Sequence, residues 1–265
     1  MISQNVLGFR FITGWAMGTN SYIFLDRRFE TDQMRLAKIL NYFAQTGYNY
    51  QILLYPEGTD KCPLATERSR KYAEKNNLKH FEYVLQPRTT GFVHIIQNMR
   101  KAKYIDYVYD VTIGFGDCIV QSEIDFAKNG VCPKDVYYQV CKLDVDTLPT
   151  GDKELAKWLM NLWHEKEEKL RRFYALPPEE RHFENTPNGK DYEVNPSTFR
   201  VRMYIISFWA LTTMIWLYGL FMIPYMRMFA IMSCAIFGFM QYRWGGVEWL
   251  TIQTFEQSKA ADSAH

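Results

Sequence analysis

The segment from Met203 to Met222 restricts the possible folds of this chain more than any other feature of its sequence. It contains 20 consecutive residues without a charged side chain, with aromatic residues near both ends. At a rise of about 1.5 Å per residue, a helix of this length crosses the roughly 30 Å hydrocarbon core of a bilayer. Because lipid offers backbone groups no other partners, we predict a membrane-spanning helix here. A buried core helix is the alternative.

A second uncharged run extends from Met228 to Tyr242, between Arg227 and Arg243. It is shorter than the ~17 residues that a spanning helix normally needs. A short second span, a re-entrant helix, half of a hairpin in one leaflet and a core helix all remain open. We therefore expect a membrane helix or helical hairpin over residues 203–242, followed by a C-terminal tail over residues 243–265. The flanking arginines do not decide the orientation.

The overall composition excludes several classes of protein. The chain has 31 basic and 29 acidic residues and a net charge of +2, which gives no electrostatic argument for nucleic acid as a partner. Hydrophobic residues make up 48% of the chain and aromatic residues 16%, which excludes a disordered or low-complexity chain. The five cysteines include no C-x-x-C pair and have no histidine at ligand spacing. We expect reduced thiols and no metal site.

Residues 1–174 alternate between strand-like and helix-like patterns. This alternation predicts an α/β domain with a mostly parallel sheet flanked by helices. Residues 175–202 are predicted to be a linker, since residues 175–197 contain four prolines and few apolar side chains. The predicted strands are residues 22–25, 51–55, 81–85, 104–113 and 136–143, and the predicted helices are residues 31–45, 65–77, 91–101 and 151–172.

The clearest local motif is the segment from Leu54 to Asp60. A short apolar run ends at Pro56 and is followed by Glu57, Gly58 and Thr59. Ligands of α/β sheets bind beyond the carboxyl ends of strands, and a glycine lets the backbone approach a ligand closely. The alternative is an ordinary turn from a strand to a helix, with Thr59 as the helix cap.

A similar motif occurs about 30 residues later, from Val84 to Phe92. Here an apolar run ends at Pro87 and is followed by Arg88, two threonines and a glycine at the start of a predicted helix. An arginine beside a helix N-terminus can bind phosphate. A capped helix with a solvated arginine is the alternative. Because a parallel sheet gathers such strand ends on one edge, we expect the two motifs to face the same cavity.

These motifs resemble conserved blocks of the glycerolipid acyltransferases of the 1-acylglycerol-phosphate type. Residues 56–59 (P-E-G-T) resemble the third block, and residues 85–87 (L-Q-P) are placed like the fourth. Residues 22–27 (Y-I-F-L-D-R) resemble the second block, with Ser21 where a glycine is usual. Several features are similar to the lysocardiolipin and lysophosphatidylinositol acyltransferase branch: Asp60, the run P-R-T-T-G-F at residues 87–92, the run T-L-P-T at residues 147–150, the charged helix with Trp163, and the two C-terminal apolar segments.

The resemblance implies transfer of an acyl group from acyl-CoA to a lysophospholipid, in phospholipid synthesis or remodelling. The acceptor would be lysophosphatidic acid, lysophosphatidylinositol or lysocardiolipin. The expected location is the endoplasmic reticulum membrane or its mitochondria-associated part, with no cofactor other than acyl-CoA as co-substrate. By resemblance, Arg27, Glu57, Gly58 and Thr59 line the phosphate or glycerol side of the acceptor, and Pro87 shapes the neighbouring wall. Arg88 is added because of its charge and position.

The sequence departs from the family at its catalytic block, a His-x-x-x-x-Asp pair in which the histidine acts as the base. No histidine of this sequence is followed by an aspartate five positions later. We therefore assign no catalytic residue and expect the chain to be N-terminally shortened. Neither His80 nor His94 is favoured as a substitute base. The alternative function is a non-catalytic, membrane-anchored module that binds lysophospholipid or pairs with a full-length copy and regulates it.

Overall fold

The computed structural model describes residues 2–3, 23–25, 29–47, 49–119, 128–184, 189–190 and 198–262. The chain divides into two compact units. The first contains Arg27–Asn185 together with Met1, and the second contains Ile2–Asp26 and Thr186–His265.

The first unit contains the helices α1 (Phe29–Thr46), α2 (Pro63–Lys75), α3 (Thr89–Lys101) and α4 (Asp152–Ala175). Each coincides with a predicted helix to within a few residues at its ends. Helix α1 forms because apolar side chains recur at helical spacing, and Leu36, Ile39, Leu40 and Phe43 of this stripe are buried. The helix ends before Gly47, whose φ of +70° lies in the left-handed region that favours glycine.

Strands β3 (Tyr107–Phe115) and β4 (Val136–Asp144) pair in antiparallel orientation, with Tyr107 opposite Asp144 and Phe115 opposite Val136. Both strands were predicted, but the mostly parallel sheet is not confirmed. The parallel pairing among the described residues is limited to β1 (Ile2–Ser3) and β2 (Phe24–Leu25), which lie in the second unit. Alternating side chains identify a strand, but they do not show in which direction its neighbour runs.

Two predicted strands, residues 51–55 and 81–85, are not part of a sheet. In the second of these segments, the carboxylate of Glu167 takes the place of a strand partner. Its oxygens accept hydrogen bonds from the backbone N–H groups of Glu82, Tyr83 and Val84 at 2.8, 2.8 and 3.2 Å. Because these donors are already satisfied, this segment needs no neighbouring strand.

The core of the first unit lies on one face of α4. Leu155, Leu159, Trp163 and Leu170 recur at intervals of one or two helical turns and are all buried. They pack in one cluster with buried side chains from elsewhere in the unit: Phe81, Val84, Phe92, Ile96, Val145 and Leu148. Full burial of a large apolar side chain contributes roughly 1.5–3 kcal/mol, so this cluster is a main source of the unit's stability.

Arg100 connects α3 to the segment that joins β4 to α4. Its guanidinium donates hydrogen bonds to the carbonyl oxygens of Val145, Leu148 and Pro149 at 2.7, 3.0 and 2.7 Å. Val145–Thr147 forms a short 3-10 helix in this segment. One planar side chain with several N–H donors thus binds three carbonyl groups of this connecting segment.

The second unit contains α5 (Thr198–Met222), α6 (Pro224–Trp244) and α7 (Val247–Asp262). Within the described residues, one helix is long and apolar enough to cross a membrane, over Phe199–Met222, and only 6% of its most apolar window is buried. This exposure argues against the alternative of a core helix. Helix α5 begins at Thr198, inside the predicted linker, which also contains the 3-10 helix Pro178–Glu180.

The break between the two apolar runs occurs where it was predicted. Ile223 is extended, and Pro224 is the first residue of α6, a position where its missing N–H costs no helical hydrogen bond. Helix α6 ends at Trp244 and is capped by Gly245, whose φ is +80°. The predicted tail contains α7, which was not expected. Its sequence has only a weak apolar stripe, although Ile252 is buried.

Candidate functional site

The two predicted motifs form turns that touch each other. In the first turn, the N–H of Gly58 donates to the carbonyl oxygen of Tyr55 at 3.0 Å. The N–H of Arg88, in the second turn, donates to the carbonyl oxygen of Pro56 at 2.8 Å. A backbone hydrogen bond therefore fixes the spacing between the two turns, although no sheet edge brings them together.

Gly58 and Arg88 are in side-chain contact as well. Gly58 has a φ of +76°, which strains any residue with a Cβ. The side chain of Arg88 runs over this glycine, and a Cβ at Gly58 would lie 3.5 Å from Arg88 Nε. Arg88 is exposed, and its guanidinium makes no hydrogen bond or ion pair with any residue that the structure describes. A cation is thus held beside an open backbone turn.

Glu57 points away from this exposed surface and towards α4. The indole Nε1–H of Trp163 donates to Oε1 of Glu57 at 3.0 Å, and the N–H of Leu85 also donates to this carboxylate. Burial raises the pKa of Glu57 above its usual value, while these two hydrogen bonds and the nearby charges of Lys166 and Lys61 oppose the increase. The carboxylate therefore joins the first turn to the second turn and to the helix.

Lys166, one turn further along α4, lies in a buried polar network. Its ammonium group forms an ion pair with Asp110 at 2.5 Å and donates to the carbonyl oxygen of Val111 at 2.6 Å. Both charged side chains of the pair are buried. The same ammonium lies 5.2 Å from the centre of the Trp163 ring, within the range of a cation–π contact. Strand β3 is thereby linked to the indole that holds Glu57.

The structure brings together most of the residues that were predicted to bind the acceptor. Glu57, Gly58, Pro87 and Arg88 lie within the two touching turns, and Pro87 is buried there. Thr59 is exposed and donates to Asp60 Oδ1 at 3.0 Å. Thr59 is not a helix cap, because Cys62 occupies the N-cap position of α2. Arg27 lies outside the described residues.

The two histidines considered as substitute bases lie elsewhere. The ring of His94 on α3 is 3.1 Å from the carbonyl oxygen of Gln33 on α1. His80 is exposed and precedes the segment held by Glu167. All five cysteines are free thiols.

The sequence did not indicate the supporting role of α4. Trp163 was singled out only through the resemblance, and Lys166, Glu167 and Asp110 were not predicted as parts of the site. A usable signal was present: Trp163, Lys166, Glu167 and Leu170 are spaced three, one and three residues apart, which places them on one face of a helix. Charged residues on both sides of this face made the pattern difficult to recognise in the sequence.

Comparison with known families identifies the chain. The family model described as Acyltransferase matches residues 1–116, and the one described as Acyltransferase C-terminus matches residues 129–209. The chain belongs to this acyltransferase family. The match confirms the resemblance to the glycerolipid acyltransferases that residues 56–59 and 87–92 suggested. No solved structure gives a significant match.

The curated relatives confirm the branch of the family. Lysophosphatidylinositol acyltransferase 10 of Caenorhabditis elegans is 33% identical over 93% of this chain and 64% of its own length. Lysocardiolipin acyltransferase 1 of Gallus gallus is 40% identical over 61% of this chain and 42% of its own length. The corresponding protein of Mus musculus is 32% identical over 89% and 62%. The chain thus spans less than two thirds of the length of each of these relatives.

Proposed function

We propose that this chain carries the acceptor-binding part of an enzyme that transfers an acyl group from acyl-CoA to a lysophospholipid. The observation that carries this proposal is the exposed guanidinium of Arg88, which lies on Gly58 where the two turns meet. An arginine without a protein partner can bind phosphate through two parallel hydrogen bonds. Lysophosphatidic acid, lysophosphatidylinositol and lysocardiolipin all place a phosphate beside the glycerol that carries the free hydroxyl.

The proposed site uses the residues that the resemblance indicated, with Arg88 added. Arg88 binds the phosphate, and the absence of a side chain at Gly58 leaves room for the acceptor to approach the backbone. The exposed hydroxyl of Thr59 contacts the glycerol part of the acceptor, and Pro87 forms a rigid wall of the site. The full proposed set is Arg27, Glu57, Gly58, Thr59, Pro87 and Arg88.

In the proposed reaction, the hydroxyl oxygen of the acceptor attacks the thioester carbonyl carbon of acyl-CoA. The new oxygen–acyl bond forms as the carbon–sulfur bond breaks, and the hydroxyl proton passes by way of a base to the CoA thiolate. By family resemblance the base is the histidine of a His-x-x-x-x-Asp pair, which the printed sequence does not contain. The residues described here therefore bind and orient the acceptor. Acyl-CoA is a co-substrate, and no resident cofactor takes part.

Attachment to a membrane suits this chemistry, because both substrates have acyl chains that reside in a bilayer. Helix α5 would hold the protein there. We infer a location in the endoplasmic reticulum membrane, including its mitochondria-associated part. The non-catalytic alternative, including pairing with a full-length copy, is not favoured, since the relatives carry the names of acyltransferases.

Turnover assays in detergent test this proposal. Two proteins are compared: the 265-residue chain, and the same chain extended upstream with a His-x-x-x-x-Asp block. Each is supplied with acyl-CoA and a panel of lysophospholipids, and the release of free CoA is measured. General-base assistance is worth about 10²–10⁴ in rate, so we expect turnover from the extended chain alone. In the extended chain, Arg88→Gln should raise the KM for the lysophospholipid roughly 10- to 100-fold, the range for a lost charge-assisted hydrogen bond.

Arg68→Gln is the matched control, because Arg68 is another exposed arginine and lies on α2. This variant should leave KM unchanged. An equal effect of both substitutions would contradict phosphate binding by Arg88. If the 265-residue chain alone shows turnover, and this turnover disappears with His80→Ala or His94→Ala, a substitute base exists.

A further inference from the structure

Helix α4 supplies a hydrogen bond to the Glu57 turn, although the two belong to different halves of the family match. Glu57 lies within the residues matched by the Acyltransferase model, and Trp163 within those matched by the C-terminal model. Their side chains meet at 3.0 Å across a sequence separation of 106 residues. Trp163 is buried, and its indole nitrogen can donate a hydrogen bond but cannot accept one. Its partner must therefore present an acceptor, as a carboxylate does.

Two further contacts fix the indole and connect its partner to the site. Lys166 lies over the ring of Trp163 and is itself held by Asp110, so the indole plane has little freedom to turn. Glu57 also accepts a hydrogen bond from the N–H of Leu85, which precedes the second turn. Asp110, Lys166, Trp163 and Glu57 thus form a series of side-chain contacts that ends at the backbone N–H of Leu85.

We propose that Trp163 is a positioning residue for the acceptor site: its indole N–H fixes the Glu57 carboxylate and thereby holds the Gly58 turn against Arg88. This inference rests on the function proposed above, because it assigns Trp163 a part in binding the same acceptor. Trp163 does not touch the acceptor and acts through Glu57. Because Trp163 contacts Glu57 and not Gly58 or Arg88, it leaves these two residues open to the ligand.

The proposal predicts how acceptor binding depends on pH. The charged groups that face Glu57 are Lys166 on α4 and Lys61 in the segment after the turn. Burial raises the pKa of Glu57, and the hydrogen bond from Trp163 opposes that increase. Removal of this bond therefore raises the pKa further. Because the ionised carboxylate is the form that accepts both hydrogen bonds, acceptor affinity should fall when Glu57 is protonated, and this fall should move to higher pH in Trp163→Phe.

The first experiment uses the full chain in detergent micelles, labelled with ¹⁵N at the tryptophan indoles. The Trp163 resonance is the one that disappears in Trp163→Phe. In the unsubstituted chain it should shift with pH as Glu57 titrates above its usual pKa of 4.5, and Glu57→Gln should abolish this shift. Trp158→Phe is the matched control, because Trp158 is on the same helix, stacks on Phe92 and donates no hydrogen bond to the described residues. It should remove a different resonance and leave the titration intact.

The second experiment measures binding of lysophosphatidylinositol to the same proteins from pH 4 to 8. Trp163→Phe should weaken binding roughly tenfold at neutral pH, as expected for one lost hydrogen bond to a charged group, and should move the acid limb to higher pH. Trp158→Phe should do neither. Glu57→Gln should remove the acid limb, and Trp163→Phe should then weaken binding less than it does in the unsubstituted chain, because the hydrogen bond that it removes goes to a neutral amide oxygen.

The outcomes separate the two proposals. An indole resonance that does not titrate, or an acid limb that is unmoved in Trp163→Phe, overturns the positioning role. If the unsubstituted chain titrates as expected but binds no lysophospholipid at any pH, the proposed function fails and the role of Trp163 as a part of the acceptor site falls with it, while its hold on Glu57 stands. If Trp163→Phe does not fold, Glu57→Gln decides the same question from the other partner.

Discussion

Helices α4 and α5 have nearly the same length, 24 and 25 residues. Hydropathy suggests that the apolar helix is buried and the charged helix exposed, but the structure shows the opposite. Helix α4 is rich in charge, and seven of its side chains are buried, including Lys166 and Glu167. Helix α5 has no charged residue from Met203 onward, and most of its large apolar side chains are exposed.

The difference shows what each helix requires from its surroundings. Helix α4 buries polar groups because each has a specific partner: three backbone N–H groups for Glu167, and Asp110 with a carbonyl oxygen for Lys166. The apolar side chains of helix α5 are mostly exposed in the described residues, and by length and composition this helix could cross a bilayer. Burial of a polar side chain within the protein thus depends on the partners that it finds.

The largest expected effect is on the buried face of α4. Glu167→Ala removes the acceptor of three N–H donors and leaves them without a partner. We expect the free energy of unfolding to fall by about 3–5 kcal/mol, because each buried donor left without a partner costs about 1–3 kcal/mol. Urea denaturation of the detergent-solubilised chain measures this change.

Arg172→Ala tests the outer face of the same helix. Arg172 forms an exposed ion pair with Glu184 at 3.1 Å, and such pairs contribute about 0–1 kcal/mol. Equal losses for Glu167→Ala and Arg172→Ala would show that the burial of polar groups does not distinguish the two faces of α4.

A charge in the middle of α5 should have the next largest effect. Ile215 is 61% exposed, and Ile215→Arg places a cation at the centre of the apolar run. Insertion into a bilayer should become less favourable by about 2.5–3.5 kcal/mol. Alkaline carbonate extraction should leave the unsubstituted chain in the membrane pellet and release part of the variant. Ile215→Leu is the control, and recovery of the unsubstituted chain in the soluble fraction would contradict a membrane helix.

A smaller effect is expected where β3 packs against α4. A Cβ at Gly114 would lie 2.8 Å from two ring atoms of Phe173, so the ring or the strand must shift to accommodate Gly114→Ala. We expect a loss of about 1–3 kcal/mol, as for other overpacked cores. Gly91→Ala is the control, because that glycine lies in α3 with no atom near its missing Cβ. This substitution should be stabilising by about 0.5–1 kcal/mol, so a loss there would point to a general intolerance of added methyl groups.

The smallest effect concerns the pH dependence of stability. Burial raises the pKa of Glu57 in the folded state above the usual value of 4.5. The folded state therefore binds this proton more tightly than the unfolded state, and stability falls as pH rises through the window between the two pKa values. Glu57→Gln cannot titrate and should lack this contribution. Thermal unfolding at a series of pH values compares the two slopes, and identical slopes would show that Glu57 does not titrate in this window.

The contrast between α4 and α5 also explains what could be predicted from the sequence. Helix α1 follows from the spacing of its apolar side chains, α2 and α4 follow from runs of polar and charged residues that favour helix, and α5 follows from length and the absence of charge. The two turns were expected to face one cavity because a parallel sheet would place both strand ends on one edge. They do touch, but through a backbone hydrogen bond and not at the edge of a sheet. These patterns involve residues that are close together in the sequence, so they can be recognised without a structure.

The contacts that could not be predicted join residues far apart in the chain. The segment 81–85 has the composition of a strand, but Glu167, more than 80 positions away, satisfies its N–H groups. The direction of pairing between β3 and β4 likewise depends on the path of the segment between them. Even Trp163 gave no indication, from its own neighbours, that its partner would be Glu57.

The contacts of α4 have a consequence for how this chain can be divided. Glu57, the amides of 82–84 and Asp110 all belong to residues 1–116, and the side chains that satisfy them belong to residues 129–209. A fragment cut between these two stretches would contain a buried carboxylate and three amide donors without their partners. The two pieces should therefore be insoluble when made separately and should recover their shape when made together. A recombination event that exchanged only one of them would produce a defective protein, so we expect the two to be inherited as a pair.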